Sequence, residues 1–595
     1  MKSLIKLQIL HLRRRSKRKK CQNKNWYDFD LRKQRKLLNE KALLMSKYPK
    51  NPFITGAFHK SNKEFAKLRK LKKREYTQNI SDKLDNLQTN NPKEYWRLVN
   101  SLRSNVKDDL VSNIDCNTWS DYFSNLSKTP AGYMERIDEI NKKINDMKND
   151  PNFSSFSNLD FRITTSELSK ALNKLKKNKS PGLDTITNEM LKAVQIYINP
   201  LFLKLFYNAI FIAGIYPEKW SEGYITPIFK SDNSRLPQNY RGITITSCIG
   251  KLFNIILNNR LDKFLLEHNI IHETQIGFSK NSRTSDHLFV LKCLVDKYIN
   301  SGGKCLYACF VDFHKAFDTV VHSGIKCKLL QCGISGLFYN ILCSMYSAQN
   351  KISVKIGDRL TDPFIQEIGV RQGDVLSPNI FKNFLNDFSK TLDEYDNDSH
   401  VCLSGKKISS LLYADDLILF SSTPEGLLNK LDHLHKYCKE WCLKVNINKS
   451  KVIVFNKTGR VINHNFKIDT ENLECVNKYK YLGVILSASG TFKEARTALF
   501  NKALKASFKL YKDLKNADPP IKTLLHLFDH MIKPIALDGV KIWGLLTPAM
   551  LKKNLELYDL FKDWEYEKLN FKFCKYLLGV NKRSTNIADC FIRIG

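Results

Sequence analysis

The chain has 595 residues, 96 Lys+Arg against 59 Asp+Glu, and a formal net charge of +37. With 43% apolar residues, 35 Phe and 24 Tyr, global disorder is excluded, and no run of about 18 uncharged apolar residues marks an ordinary membrane span. The 15 Cys are scattered, which points to a reducing compartment rather than a disulfide framework, and the charge points to a polyanionic partner.

The length predicts several domains at the usual ~100–200 residues each. Residues 1–80 hold 25 Lys+Arg and 5 Asp+Glu, a local excess of +20. Within the basic arm 1–25, the run Arg13-Arg14-Arg15-Ser16-Lys17-Arg18-Lys19-Lys20 reads as a nuclear signal, a phosphate-binding arm or a solvated, self-repelling terminus. A secretory signal is not expected, because the preceding apolar stretch is short, contains Lys6 and lacks a small-residue cleavage site. Residues 26–158 read as a helical, basic extension with a Lys/Arg cluster at Lys67 to Arg74 and aromatic Tyr95 and Trp96, closed by the turn signal Asp150-Pro151. From about 163 the texture becomes globular.

Four stretches of the globular region carry chemistry. Tyr224 to Phe229 and Ile243 to Ile245 read as a hairpin, with Lys230 and Arg241 flanking its turn. Two such cations suit a triphosphate, Arg241 by its planar fork and Lys230 as a point charge, or are simply exposed bases in a basic protein. Next, Cys305 to Val311 is a continuous apolar run of strand length that ends at Asp312. In Gly369 to Pro378, Ser377 and Pro378 read as N-cap and first residue of a helix burying Ile380, Phe381, Phe384, Leu385 and Phe388, and Gly373 lets backbone approach a base or sugar. Finally, Ser409 to Leu412 and Leu417 to Phe420 flank Tyr413-Ala414-Asp415-Asp416, predicting a hairpin with paired aspartates at its tip.

Adjacent carboxylates need water or a cation to offset their repulsion. Asp312, Asp415 and Asp416 are therefore expected to converge on two Mg²⁺ ions, with Mn²⁺ as a substitute, that activate a 3′-hydroxyl and stabilise leaving pyrophosphate. The bland alternative is a surface turn with solvated aspartates. His435, Cys438 and Cys442 share a helical face with Leu427, Leu428, Leu431 and Leu434, and no fourth metal ligand is near, so the cysteines are expected to pack beneath a sheet.

In this order, these pieces resemble the reverse-transcriptase domain of non-LTR (LINE-type, Jockey-like) retrotransposons, from about residue 160 to 490. The resemblance rests on Ser180-Pro181-Gly182-Leu183-Asp184, Lys230 with Tyr240-Arg241-Gly242, and Gln275-Ile276-Gly277-Phe278. It extends through Phe310-Val311-Asp312 with Ala316-Phe317-Asp318, Arg371-Gln372-Gly373 to Pro378, Tyr413-Ala414-Asp415-Asp416, Asn448-Lys449-Ser450-Lys451 and Tyr481-Leu482-Gly483. It implies an α+β right-hand fold: fingers at 159–300, a ferredoxin-like palm at 301–490 and a helical thumb at 491–545, followed by a helical C-terminal extension at 546–595.

The resemblance also implies an RNA-directed DNA polymerase working on an RNA template, a DNA primer and dNTPs. Asp312, Asp415 and Asp416 would hold the metals with the backbone carbonyl of Phe313. Lys230, Arg241, Phe317, Gln372, Gly373, Tyr413 and Lys449 would surround the nucleotide, with Phe317 excluding the ribose 2′-hydroxyl. Lys449, or alternatively Lys451, would protonate pyrophosphate. Gly277, Phe278, Tyr481, Leu482 and Gly483 would contact primer and template. Asn91 to Trp96, Pro534 to Gly544 and Phe573 to Gly579 resemble the family's flanking segments. The family's N-terminal endonuclease is expected to be missing, as in a truncated element copy. A nuclear site of action is favoured over a cytoplasmic one. The alternatives are an RNA-dependent RNA polymerase, which would want a polar group in place of Phe317, a group II intron maturase, and a decayed nucleic-acid-binding relic.

Overall fold

The structure is a computed structural model that describes residues 26–102, 111, 114–197, 200–300, 304–347, 350–395, 399–514, 519–544 and 565–577. The basic run Arg13 to Lys20 lies outside the described residues. Two compact units are present: residues 1–106, 496–538 and 549–595 form the first, and 107–495 with 539–548 the second. The composition break at Asp150-Pro151 and the expected boundary at 158 thus fall within the second unit.

The first unit is helical where it is described. Asp28 caps the helix Phe29–Lys47 by accepting from Leu31 N at 3.1 Å, and Asn51 with Pro52 starts the long helix Pro52–Asn90. These two helices bury Leu31, Leu38 and Phe65 between them, and Lys72 pairs with Asp28 at 2.8 Å. The helix Pro92–Leu102, from the Asn-Pro-Lys-Glu-Tyr-Trp segment, buries Tyr95 and Val99 among Ala503, Leu510, Phe528 and Phe573. The Tyr95 hydroxyl lies 3.1 Å from His526 Nδ1.

The second unit mixes helices with two five-stranded sheets. Its principal strands are β1 (Gly223–Phe229), β2 (Tyr240–Thr246), β3 (Leu306–Val311), β4 (Lys351–Ile356), β5 (Ser410–Tyr413), β6 (Asp416–Ser421), β7 (Lys451–Phe455), β8 (Glu474–Cys475), β9 (Lys478–Tyr481) and β10 (Val484–Ser487). One sheet contains β2-β1-β4 in that order, and the other runs β8-β7-β3-β6-β5. The hairpin β1–β2 forms as expected, with Phe229 opposite Tyr240 and Ile228 opposite Arg241. The helix Cys116–Ser127 covers this sheet, packing Trp119 and Phe123 against Ile225, Tyr240, Ile352 and Val354.

The unbroken apolar run of β3 follows from burial on both faces. Tyr307, Cys309 and Val311 enter one core with Leu427, Leu431, Leu434 and Cys438 of the helix Pro424–Glu440. Leu306, Ala308 and Phe310 enter another with Leu288, Leu291 and Leu294 of the helix Thr284–Asn300 and with Tyr481 and Val484 of the β9–β10 hairpin. Cys438 and Cys442 are buried core residues.

The helix after Gly373 departs from expectation in its details. Backbone at Leu376 is already helical (φ −78°, ψ −34°), so Ser377 is the first helical residue rather than the cap and makes no capping bond. The helix also ends at Phe384, and a second one, Asn386–Tyr395, follows. The break places Asn386 where its side chain accepts from His272 N at 2.7 Å and donates to the Ile270 carbonyl at 2.7 Å. Ile380, Phe381, Phe384, Leu385 and Phe388 are nevertheless all buried. No helix among the described residues is long and apolar enough to cross a membrane.

Candidate active site

The three aspartates meet at one end of the β3–β6–β5 sheet. Val311 pairs with Leu417 across the antiparallel β3–β6 ladder, so Asp312, just past β3, comes beside Asp416 at the start of β6. Tyr413 pairs with Asp416, leaving Ala414-Asp415 as a two-residue turn with Ala414 at φ +59°.

Residues 444–450 strap the backbone around Asp312. His314 N donates to the Lys444 carbonyl at 2.8 Å, Asn446 N to the Asp312 carbonyl at 2.7 Å, and Asp312 N to Ser450 Oγ at 3.0 Å. Phe313 bridges to Val445 and is buried. Lys449 Nζ lies 4.0 Å from Asp312 Oδ2, whereas Lys451 is paired to Glu474 at 2.8 Å. Of the two lysines weighed from sequence, the one beside the carboxylates is Lys449.

Burial raises the Asp416 carboxyl to about 6, helped by the negative charges of Asp415 and Asp312. Asp415 is also pushed up, first by burial, while Arg241 and Lys230 pull it down. The β1–β2 hairpin therefore brings both sequence-predicted cations into electrostatic reach of the turn, and both remain exposed. Among the described residues, no Lys, Arg or His forms an ion pair with Asp415 or Asp416, and no three His, Cys, Asp or Glu side chains close into a metal-ligand cluster. The chemistry of this donor set fits Mg²⁺, which takes one or two protein carboxylates and completes its shell with water and substrate phosphate oxygens.

Phe317 stands in a turn, not in the next helix, which starts at His322. Its ring stacks on Phe381 at 4.3 Å between centroids and meets Phe278 edge-on at 6.1 Å. Gln372 is held twice, its carbonyl accepting from Thr244 N of β2 at 2.7 Å and its Nε2 donating to Asp318 Oδ1 at 2.9 Å. Gly373 has φ +115°, and a Cβ there would lie 2.9 Å from the Thr244 carbonyl oxygen, so backbone at this point has no room for a side chain.

On the opposite side, Leu482-Gly483 forms the turn of β9–β10, with Tyr481 opposite Val484. Tyr481 is buried, with its ring 5.6 Å from Phe310 and its hydroxyl 3.4 Å from His287 Nδ1, so its side chain serves the core. The Tyr413 ring meets His287 edge-on at 6.1 Å.

Sequence reasoning assigned no role to three residues the geometry singles out. Asp318 orients Gln372, and burial lifts its carboxyl to about 6. Ser450 ties down the backbone of Asp312. Gln275 accepts from Ala414 N in the Ala414-Asp415 turn at 3.3 Å. All three lay within quoted motifs, one or two positions from residues that were given roles, and that proximity was the available signal.

Residues 228–486 match the family described as reverse transcriptase (RNA-dependent DNA polymerase). This part of the chain is similar to reverse-transcriptase domains. The chain is related to the polymerases of non-LTR transposons. It is 29% identical over 402 residues to the probable RNA-directed DNA polymerase from transposon BS of Drosophila melanogaster, covering 65% of this chain and 43% of that protein. It is 26% identical over 414 residues to the RNA-directed DNA polymerase from mobile element jockey of Drosophila funebris, covering 66% and 42%. The match to the probable RNA-directed DNA polymerase from transposon X-element of Drosophila melanogaster is 26% over 398 residues, covering 65% and 42%. The chain thus spans less than half the length of these relatives.

Proposed function

We propose that the chain is an RNA-directed DNA polymerase that adds dNTPs to a primer 3′-hydroxyl on an RNA template. The observation that carries this reading is the meeting of Asp312 with Asp415-Asp416 across two paired strands, inside the family-matched region. Within this sheet β3 is followed, after several helices and β4 of the other sheet, by the β5–β6 hairpin, a helix and β7, and this succession with spatial order β7-β3-β6-β5 supports a split βαβ palm over 301–490. In this reading 159–300 act as fingers and 491–545 as thumb.

Asp312, Asp415 and Asp416 would hold two Mg²⁺, or Mn²⁺ in its place, with the Phe313 carbonyl as a further ligand. When bound, such a pair lowers the pKa of the attacking hydroxyl and neutralises charge on the leaving pyrophosphate. The chain's own groups then have distinct tasks. Lys230 and Arg241 bind the triphosphate from one side, and Lys449 stands where it can hand a proton to the departing pyrophosphate. Gln372, fixed by Asp318 and Thr244, lines the nucleotide pocket with Gly373 and Tyr413. Phe317, wedged between Phe381 and Phe278, fills the space a 2′-hydroxyl would need. Gly277 and Phe278, with the Leu482-Gly483 turn after Tyr481, face primer and template. The excess of cations on residues 1–80 supports phosphate contacts and, through Arg13 to Lys20, a nuclear site of action.

The test is primer extension by the purified chain on a homopolymer RNA template. Extension should require Mg²⁺ or Mn²⁺ and stop on chelation. Template binding without extension would overturn the polymerase reading in favour of a binding relic.

A further inference from the structure

The segment Gln275-Ile276-Gly277 lies directly against the turn that carries Asp415. Leu412 N donates to the Thr274 carbonyl at 3.0 Å and Ile276 N to the Leu412 carbonyl at 3.2 Å, so the segment runs as a short parallel extension beside β5. Gln275 is 2% exposed. Its Oε1 accepts from two backbone groups, Gly277 N at 3.1 Å and Ala414 N at 3.3 Å. Its Nε2 is buried with no hydrogen-bond partner among the described residues. The amide is therefore used as an acceptor only: an apolar side chain of the same size would remove the unpaired Nε2 donor but would deprive the Gly277 and Ala414 N–H groups of their acceptor.

What the acceptor does follows from the backbone it binds. Ala414 has φ +59°, a region that residues with a Cβ rarely adopt. A type of turn that usually relies on glycine here relies on its neighbours. Gly277 makes the approach feasible, since a Cβ at that position would stand 2.1 Å from Ala414 N. The next residue after the strained alanine is Asp415, whose carboxylate direction is set by the turn.

We propose that Gln275 is a positioning residue: by accepting the Ala414 N–H, it latches the Ala414-Asp415 turn in its left-handed form and fixes the Asp415 carboxylate relative to Asp312. The geometry stands alone, while the consequence for catalysis rests on the polymerase reading.

Three variants of the full chain test this. Gln275→Met keeps the volume and removes the acceptor. Hydrogen exchange across residues 409–421 should quicken about tenfold, with the rest of the sheet unchanged. The kcat for dNTP addition should fall about 10–100-fold, with KM for dNTP and affinity for primer–template within about twofold of wild type. Adding Ala414→Gly to the Met variant should restore much of the lost kcat, because glycine adopts positive φ without help. Gln275→Glu keeps an acceptor oxygen and should leave exchange in the hairpin close to wild type, which preserves the test if the Met variant does not fold. Unchanged exchange in the Met variant, equal loss of protection in the Glu variant, or no recovery on adding Ala414→Gly would each overturn the latch. A wild-type chain that fails to extend primers would sink the polymerase reading alone, and the exchange data would still decide the latch.

Discussion

Two hairpins of the second unit are closed by two-residue turns that meet their conformational demand by different means. In β9–β10 the turn is Leu482-Gly483, with φ of +45° and +91° at its two positions, and glycine carries much of the conformational demand locally. In β5–β6 the turn is Ala414-Asp415, where an alanine sits at φ +59° and a charged residue follows it. No local preference selects that conformation, which costs about 1–2 kcal/mol for a residue with a Cβ. It is imposed from outside by Gln275 and Gly277. The first turn carries its conformational demand in its own sequence, whereas the second holds strain and buried charge that its neighbours must sustain, as expected where a fixed carboxylate direction is needed.

The largest effect should come from removing charge at the imposed turn. Asp415→Asn keeps its size, and primer extension should fall by about a thousandfold or more. Affinity for primer–template should stay within about threefold, because phosphate contacts supply most of it. Near-normal extension by this variant would remove the reason for the strain.

The neighbouring ring gives a smaller, more specific effect. Phe317→Val opens the space between Phe381 and Phe278, so ribonucleotide use relative to deoxyribonucleotide use should rise about 5–100-fold, the equivalent of relieving a clash and an unpaired hydroxyl. If both substrates are lost in parallel, the ring is only packing.

Charge at the imposed turn should also weaken the metal-free fold. The Asp416 carboxyl titrates near 6 in the folded chain against an ordinary 3.8, so folding takes up a proton between those values. The penalty is absent below the lower value, grows through the interval and is full above it. Asp416→Asn should therefore stabilise the metal-free protein by about 1–3 kcal/mol at pH 8 and by almost nothing at pH 4. Denaturant melts at the two pH values measure this, and equal effects at both would contradict the electrostatic cause.

The smallest effects contrast the turns themselves. Gly483→Ala should cost about 1–2 kcal/mol of stability, whereas Ala414→Gly should cost nothing or stabilise by up to about 1 kcal/mol. A loss at both positions would mean that the two turns are alike.

The difference between the hairpins also explains what could be read from sequence. The run Cys305 to Val311 announced a strand because both its faces are buried, and the apolar stretches around Tyr413 to Asp416 announced a hairpin. The carboxylates stood out because adjacent charges at a strand end lack a structural reason. Ser377 was misread as a cap because helical backbone begins one residue earlier, which side-chain preference does not report. Tyr481 gave no sign that its ring turns into the core toward Phe310. Gln275, Asp318 and Ser450 act through partners 54 to 139 residues away, and no local pattern records such pairs.

The central claim is that Asp312, Asp415 and Asp416 form the centre of an RNA-directed DNA polymerase. The most direct measurement offers the purified full chain a primed RNA template of defined sequence, with Mg²⁺ and an equimolar mixture of dNTPs and rNTPs, and reads the product. The account predicts a complementary DNA strand extended from the primer. A product built of ribonucleotides, or extension that persists when Asp312 and Asp415 are both changed to Asn, would contradict it.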